Sequence, residues 1–188
     1  ASSVINNNNK LKDFKLLNTS NNKIENTSIY YGEKGTLIIF MCNHCPYVVH
    51  LLEHIIGFCK KIKKNKISTI AFSSNDIVNY PQDSPEKMNL LTKEKKIEFT
   101  YFFDKNQEAA HYYRALCTPE FLLFDKDHKQ FYHGRYDKSR PKNGVEVSGE
   151  DLNGAIKIMN NNSETKFFQY PSMGCNIKWF KGNEPKYD

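Results

Sequence analysis

The sequence predicts a single α/β domain, and three features carry that prediction. Two apolar runs, Thr36-Leu-Ile-Ile-Phe-Met41 and Ile67-Ser-Thr-Ile-Ala-Phe72, read as strands buried on both faces. Between them Val48, Leu51, Leu52, Ile55, Cys59 and Ile62 recur at spacings of three and four. They form one apolar face of a helix running from Pro46 to about Lys64. Strand and helix go on alternating downstream, which implies a central mixed sheet with helices on both faces. At 188 residues the chain is long enough for one such core, and 39% hydrophobic with 13% aromatic content excludes wholesale disorder.

The remaining elements follow in order. Residues 1–12 are polar and expected to be flexible, 13–163 form the domain, and 164–188 form a C-terminal tail packed on it. Phe14 and Leu16 alternate with charged residues as in a half-buried strand. Asn18 to Lys23 reads as a turn and Ile24 to Tyr31 as an extended return, giving an N-terminal β extension. Ser84-Pro85-Glu86 starts a helix with a cap, a first-position proline and a first-turn acid. Phe99 to Phe103 is a strand and Asn106 to Arg114 a short helix. Glu120-Phe-Leu-Leu-Phe124 and Gln130 to Tyr136 form a hairpin. Ser148-x-x-Asp151 reads as a capping box before a last helix, Leu152 to Met159.

Charge excludes more than it assigns. The net charge of +6 owes much to Lys60-Lys-Ile-Lys-Lys-Asn-Lys66, where cations at a helix C-terminus complement the macrodipole. Without interleaved aromatic residues the run reads as a solvated helix end, not a nucleic-acid surface. The asparagine clusters at 6–9, 21–22 and 160–162 read as loop composition. No apolar stretch approaches the ~18 residues that cross a bilayer, so a soluble protein without a membrane span is expected. The chain opens on Ala1, which leaves its compartment open between the cytoplasm and an organelle lumen.

The chemistry centres on Cys42-Asn-His-Cys45. A buried strand runs straight into this C-x-x-C and a helix starts there, so Cys42 meets the unpaired N–H groups of a helix N-terminus. Such settings bring thiol pKa values from about 8.5 to roughly 3.5–7.5. Cys42 is the expected nucleophile and Cys45 the resolving thiol. A protonated His44 would further favour the Cys42 thiolate. Thr118-Pro119, directly before a core strand, suggests a cis peptide facing the dithiol and forming a substrate groove. Cys59 lies in the middle of an apolar helix face and reads as an inert core thiol. His50 and His54 stand one helical turn apart, awkward for sharing a tetrahedral zinc with both cysteines, so no metal is expected.

These segments carry a resemblance. Strand, C-x-x-C, helix and Thr-Pro followed by Phe-Leu-Leu-Phe-Asp resemble the thioredoxin-like superfamily. Cys42-Asn-His-Cys-Pro-Tyr47, Phe72-Ser-Ser-Asn-Asp76, Tyr80-Pro-x-Asp-Ser-Pro85, Cys117-Thr-Pro119, Asp137-x-Ser-Arg-Pro141 and Gly174-Cys-Asn-Ile-Lys-Trp179 resemble one branch of it more closely. That branch is the peroxiredoxin-like group related to alkyl hydroperoxide reductase and thiol-specific antioxidant proteins. The resemblance implies a thioredoxin-like fold and thiol redox activity in cell redox homeostasis. No cofactor is implied beyond a redox-active disulfide and an external thiol reductant. Partners would be a disulfide-containing protein or small thiol, with a thioredoxin or glutathione type reductant.

The departures matter. True peroxiredoxins place the peroxidatic cysteine in a Pro-x-x-x-Thr-x-x-Cys setting with a distant arginine. Aligning Cys45 with it puts Cys42 at the threonine and Met41 at the proline, leaving Arg114, Arg135 or Arg140 to supply a guanidinium. A thiol peroxidase therefore ranks below a disulfide exchanger, and a non-catalytic thioredoxin-like binding module is the alternative from another class. Cys117 and Cys175 are possible accessory thiols. Cys117 either packs beside the dithiol or pairs with Cys42. Cys175 either resolves disulfides from a tail folded over the site or is structural there, with Trp179 and Tyr187 pinning that tail.

Overall fold

The computed structural model describes residues 9–165 and 167–186. Tyr187 and residues 1–8 of the expected flexible segment lie outside the described residues. Ordered packing begins ahead of residue 13, since Leu11 is buried and its N–H donates to His128 O at 2.9 Å.

The core strands are β3 (Gly35–Phe40), β4 (Ile67–Ser73), β5 (Thr100–Phe103), β7 (Glu120–Asp125) and β8 (Gln130–Gly134). A meander of β1 (Lys15–Asn18) and β2 (Lys23–Asn26) extends their sheet. The order is β2-β1-β5-β4-β3-β7-β8, with β3, β4 and β5 parallel and the outer pairings antiparallel. Two faces of side chains leave this sheet, as strand alternation dictates. On one, Leu37, Ile39, Ala71 and Leu123 pack against α1 (Pro46–Lys63), α4 (Glu150–Asn160) and Met88 of α2 (Pro85–Glu94). On the other, Ile38, Phe40, Phe72 and Phe102 meet Ala109, Ala110 and Tyr113 of α3 (Glu108–Tyr113). The α/β reading holds: this is a thioredoxin-like fold with helices on both faces. The Ser84 cap also holds, accepting from Lys87 N.

Two local expectations are corrected. The return strand stops at Asn26 and continues as a short 3-10 helix, Thr27–Tyr30, because Asp13 Oδ1 accepts the Ser28 N–H at 2.9 Å and turns the chain. The Ser148-x-x-Asp151 box does not form. Asp137 Oδ2 takes the N–H groups of Ser148 and Gly149 at 2.8 and 2.7 Å, the helix starts at Glu150, and Asp151 pairs with Arg135 Nε at 2.6 Å.

A second small sheet pairs β6 (Cys117–Thr118) with β9 (Cys175–Asn176) of the tail, antiparallel, with Thr118 opposite Cys175. The tail is tied down beyond that pairing as well. Ile177 is buried and its N–H reaches Leu116 O at 3.0 Å, Lys178 bonds Asn75 and Asp76, and the Trp179 ring lies 4.6 Å from that of His111. Behind β6 sits a buried carboxylate. Glu120 Oε2 accepts the N–H groups of Leu116 and Cys117 at 2.8 and 3.2 Å, and Oε1 meets His133 Nε2 at 2.7 Å. Neither Glu120 nor His133 is more than 1% exposed. Truncating one member of such a pair strands its partners without water. Glu120→Ala should therefore lower stability by about 3–5 kcal/mol, measured by urea unfolding, with cooperative unfolding retained.

Candidate active site

β3 ends at Phe40, and the Met41 N–H still pairs with Phe72 O at 2.9 Å before the chain turns. Cys42, Asn43 and His44 make the turn. Cys45 is the N-cap of α1, with Pro46 at its first position, where a missing N–H costs no helical bond. The antiparallel register sets Phe40 opposite Glu120, so Thr118 and Pro119 arrive at the same end of the sheet as the cysteines. Their peptide bond is cis.

Three sulfurs converge there. Cys42 Sγ lies 3.5 Å from Thr118 Oγ1, and the Cys45 thiol donates to Thr118 O at 3.1 Å. Cys175 Sγ is 2.9 Å from Cys45 Sγ. Cys42 and Cys45 are 1% and 0% exposed, whereas Cys175 is half-buried. The Cys117 sulfur lies 3.9 Å from Glu120 Oε2. Cys59 is buried among the apolar residues of α1, and burial pushes its thiol up to about 12.

His44 lies beside both Cys42 and a buried carboxylate, Asp83. Its Nδ1 is 2.7 Å from Asp83 Oδ2 and 3.9 Å from Cys42 Sγ, and its ring stacks on Tyr80. Asp83 is fully buried. Its Oδ1 accepts the Asn43 N–H at 2.8 Å and its Oδ2 the Asn75 amide at 2.9 Å. Asp83 was not singled out from the sequence, and its only signal was its place within Tyr80-Pro-x-Asp-Ser-Pro85. The two histidines of α1 anchor the 136–139 loop, His50 through Ser139 at 2.8 Å and His54 through Tyr136 at 2.6 Å. That loop walls a narrow cleft beside Pro119, lined also by Tyr47, Leu51, Arg140 and Met173.

Cys42 Sγ, His44 Nδ1 and an Asp83 oxygen lie within 4.8 Å of one another, close enough to be considered for a metal. Two ligands at about 2.0–2.1 Å from a tetrahedral zinc stand about 3.3 Å apart. The 2.7 Å between His44 and Asp83 is instead a hydrogen bond.

The cysteines titrate as a pair. The Cys45 sulfur, burial and the Asp83 carboxylate, in that order, push Cys42 up, while Cys42 pulls Cys45 down against burial. A thiolate fixed on Cys45 would, however, face the Thr118 carbonyl at 3.1 Å with like partial charge. The two sulfurs share one proton, so the first ionisation of the pair falls below the ordinary thiol range and the second rises above it.

Residues 8–130 match the AhpC/TSA family. An uncharacterized conserved protein from Geobacillus kaustophilus is 36% identical, with a TM-score of 0.88 over 92% of this chain and 92% of that one. A hypothetical protein from Sinorhizobium meliloti 1021 is 31% identical, with a TM-score of 0.90 over 96% of this chain and 98% of that one. A secreted disulfide oxidoreductase from Mycobacterium tuberculosis shares the fold at 12% identity, with a TM-score of 0.56 over 77% of this chain and 94% of that one. No curated protein matches the chain.

Thiolate ultraviolet absorbance of the reduced protein should show one step well below about 8.5, with the second ionisation of the pair and the other raised thiols well above it. Either Cys42→Ser or Cys45→Ser should abolish the lower step, because each removes the shared proton. The depressed ionisation contributes stability that is present above about pH 8.5 and is lost as pH falls through the depressed value. The raised one has the opposite sense, with stability falling above about pH 8.5 as thiols ionise in the unfolded chain alone. Unfolding of the reduced wild type should therefore depend on pH more steeply than that of either variant.

Proposed function

The chain belongs to the AhpC/TSA family, a thioredoxin-like family of thiol-dependent redox proteins, and on that premise we propose that it is a thiol–disulfide oxidoreductase working through Cys42 and Cys45. One observation carries the reading: both sulfurs of the C-x-x-C meet a single residue, Thr118, ahead of the cis proline. A sulfur pair held this way can form one disulfide without moving the sheet.

With the shared proton on Cys45, the Cys42 thiolate attacks a disulfide R–S–S–R′, giving the mixed disulfide Cys42–S–S–R and releasing R′S⁻. Cys45 gives that proton to the departing R′S⁻, attacks Cys42 Sγ and expels RS⁻. The substrate gains two electrons and the enzyme is left with a Cys42–Cys45 disulfide, which an external thiol reductant of the thioredoxin or glutathione type restores. The cleft beside Pro119 supports approach of an extended disulfide-bearing peptide, and its cationic rim at Lys138 and Arg140 favours an acidic one. His44 supports the reaction from beside Asp83 and Cys42, where its Nδ1 is within reach of either group.

A peroxidase is the second reading, favoured by the position of Cys45 at the helix N-cap, where it aligns with a peroxidatic cysteine. Against it, Arg135 is held by Asp151 and Arg140 Nη1 sits on Met173 Sδ at 2.9 Å. The wild type should reduce insulin disulfides with dithiothreitol as electron donor. Cys42→Ser should lose at least 100-fold, and Cys59→Ser should match wild type. Peroxide-dependent consumption of dithiothreitol far above that of free thiol, without insulin reduction, would instead favour the peroxidase.

A further inference from the structure

We propose that Cys175 is a third redox-active thiol, which takes over the disulfide as Cys45–Cys175 and links the buried dithiol to the external reductant. This rests on the exchange reading above and extends it to a residue outside the C-x-x-C.

Three independent features place Cys175 for this work. Its Sγ is 2.9 Å from Cys45 Sγ, closer than two sulfurs pack without an interaction. The tail backbone is fitted to hold it there. Thr118 pairs with Cys175 in the β6–β9 register, and an added Cβ on the preceding Gly174 would collide with the Thr118 carbonyl. Only glycine admits that approach, so the contact is built into the tail. Exposure supplies the third feature. Cys42 and Cys45 are almost wholly covered, while the half-buried Cys175 can be reached from solvent. An external thiol therefore meets Cys175 before it meets either member of the dithiol. Burial and the Cys45 sulfur push the Cys175 thiol up to about 11, with the Lys178 ammonium offsetting part of that rise.

The step balances without an added oxidant. The Cys175 thiolate attacks Cys45 Sγ, the Cys42–Cys45 bond breaks, the Cys45–Cys175 bond forms, and Cys42 leaves as thiolate and takes up the proton that Cys175 gave up. Cys42 is thereby free for a second attack while oxidation waits at Cys175. Two equivalents of external thiol then reduce Cys45–Cys175, leaving one thiol disulfide and two protein thiols. Cys45 touches both other sulfurs, which is the geometry that lets one disulfide pass between partners.

The experiment is disulfide mapping of the full chain. The reduced protein is oxidised with one equivalent of glutathione disulfide, free thiols are alkylated, and linked peptides are identified by mass spectrometry. The expected result is Cys45 linked to Cys175 with Cys42 alkylated. In Cys175→Ser the expected linkage is Cys42–Cys45. Gly174→Ala, which keeps every thiol but displaces the tail, should give Cys42–Cys45 as well. Cys175→Ser should still form the Cys42–glutathione mixed disulfide at the wild-type rate, yet turn over at least tenfold more slowly with reduced glutathione as donor. Wild-type protein carrying Cys42–Cys45 with Cys175 alkylated would overturn the relay and leave exchange standing. Absence of any protein disulfide or glutathione adduct would overturn both.

Discussion

The two-residue strand Cys117–Thr118 is the constraint on which the site depends. Its position follows from sheet register: with Phe40 opposite Glu120, the residues just beyond β3 and just before β7 must meet. Glu120 clamps the strand from behind through two N–H groups, and its edge pairs with the tail. Thr118 then presents its hydroxyl to Cys42 and its carbonyl to Cys45. One residue thus sets both sulfurs, so a shift in this strand would misplace Cys42 and Cys45 together.

Two buried carboxylates organise this region, one on each side of the dithiol. Burying an acid is expensive unless it is hydrogen-bonded, and each of these is. Asp83 takes the Asn43 N–H, the Asn75 amide and the His44 ring, while Glu120 takes two N–H groups and the His133 ring. Their effect is positional: Asp83 fixes the C-x-x-C turn, and Glu120 fixes the strand facing it. The two carboxylates differ in what they do to the sulfurs. Asp83 opposes ionisation of Cys42, and the His44 ring lies beside both groups.

Much of this was legible in the sequence, and the division is physical. The buried runs 36–41 and 67–72, the apolar stripe of α1 and the Ser84 cap are local signals, and each forms as its residues dictate. The C-x-x-C and Thr118-Pro119 were legible as partners because strand order brings chain positions together in a way that pattern alone anticipates. Asp83 and Glu120 were not. One acid in a loop and one at a strand start look like surface residues until the backbone donors around them are known. The Ser148 box failed for a related reason. Asp137, eleven residues away, outcompetes the local cap by taking two N–H groups at once. The tail lies in between, since its glycine and cysteine were visible but their fit against Thr118 was not.

The sharing of one proton between Cys42 and Cys45 explains why neither sulfur need be a permanently activated thiolate. A fixed charge on Cys42 would face Asp83, and a fixed charge on Cys45 would face the Thr118 carbonyl, so each location carries an electrostatic cost. Placing the proton on Cys45 satisfies that carbonyl and leaves Cys42 charged beside the Thr118 hydroxyl and the His44 ring. In the proposed exchange, moving it back during resolution would reverse the assignment just as Cys45 becomes the attacking sulfur. The two attacks then draw on one charge used twice, and the surroundings suit each sulfur at the stage when it reacts. In the proposed relay a third sulfur against Cys45 extends the same economy outward: the half-exposed Cys175 takes over the bond to Cys45 and the charge passes to Cys42.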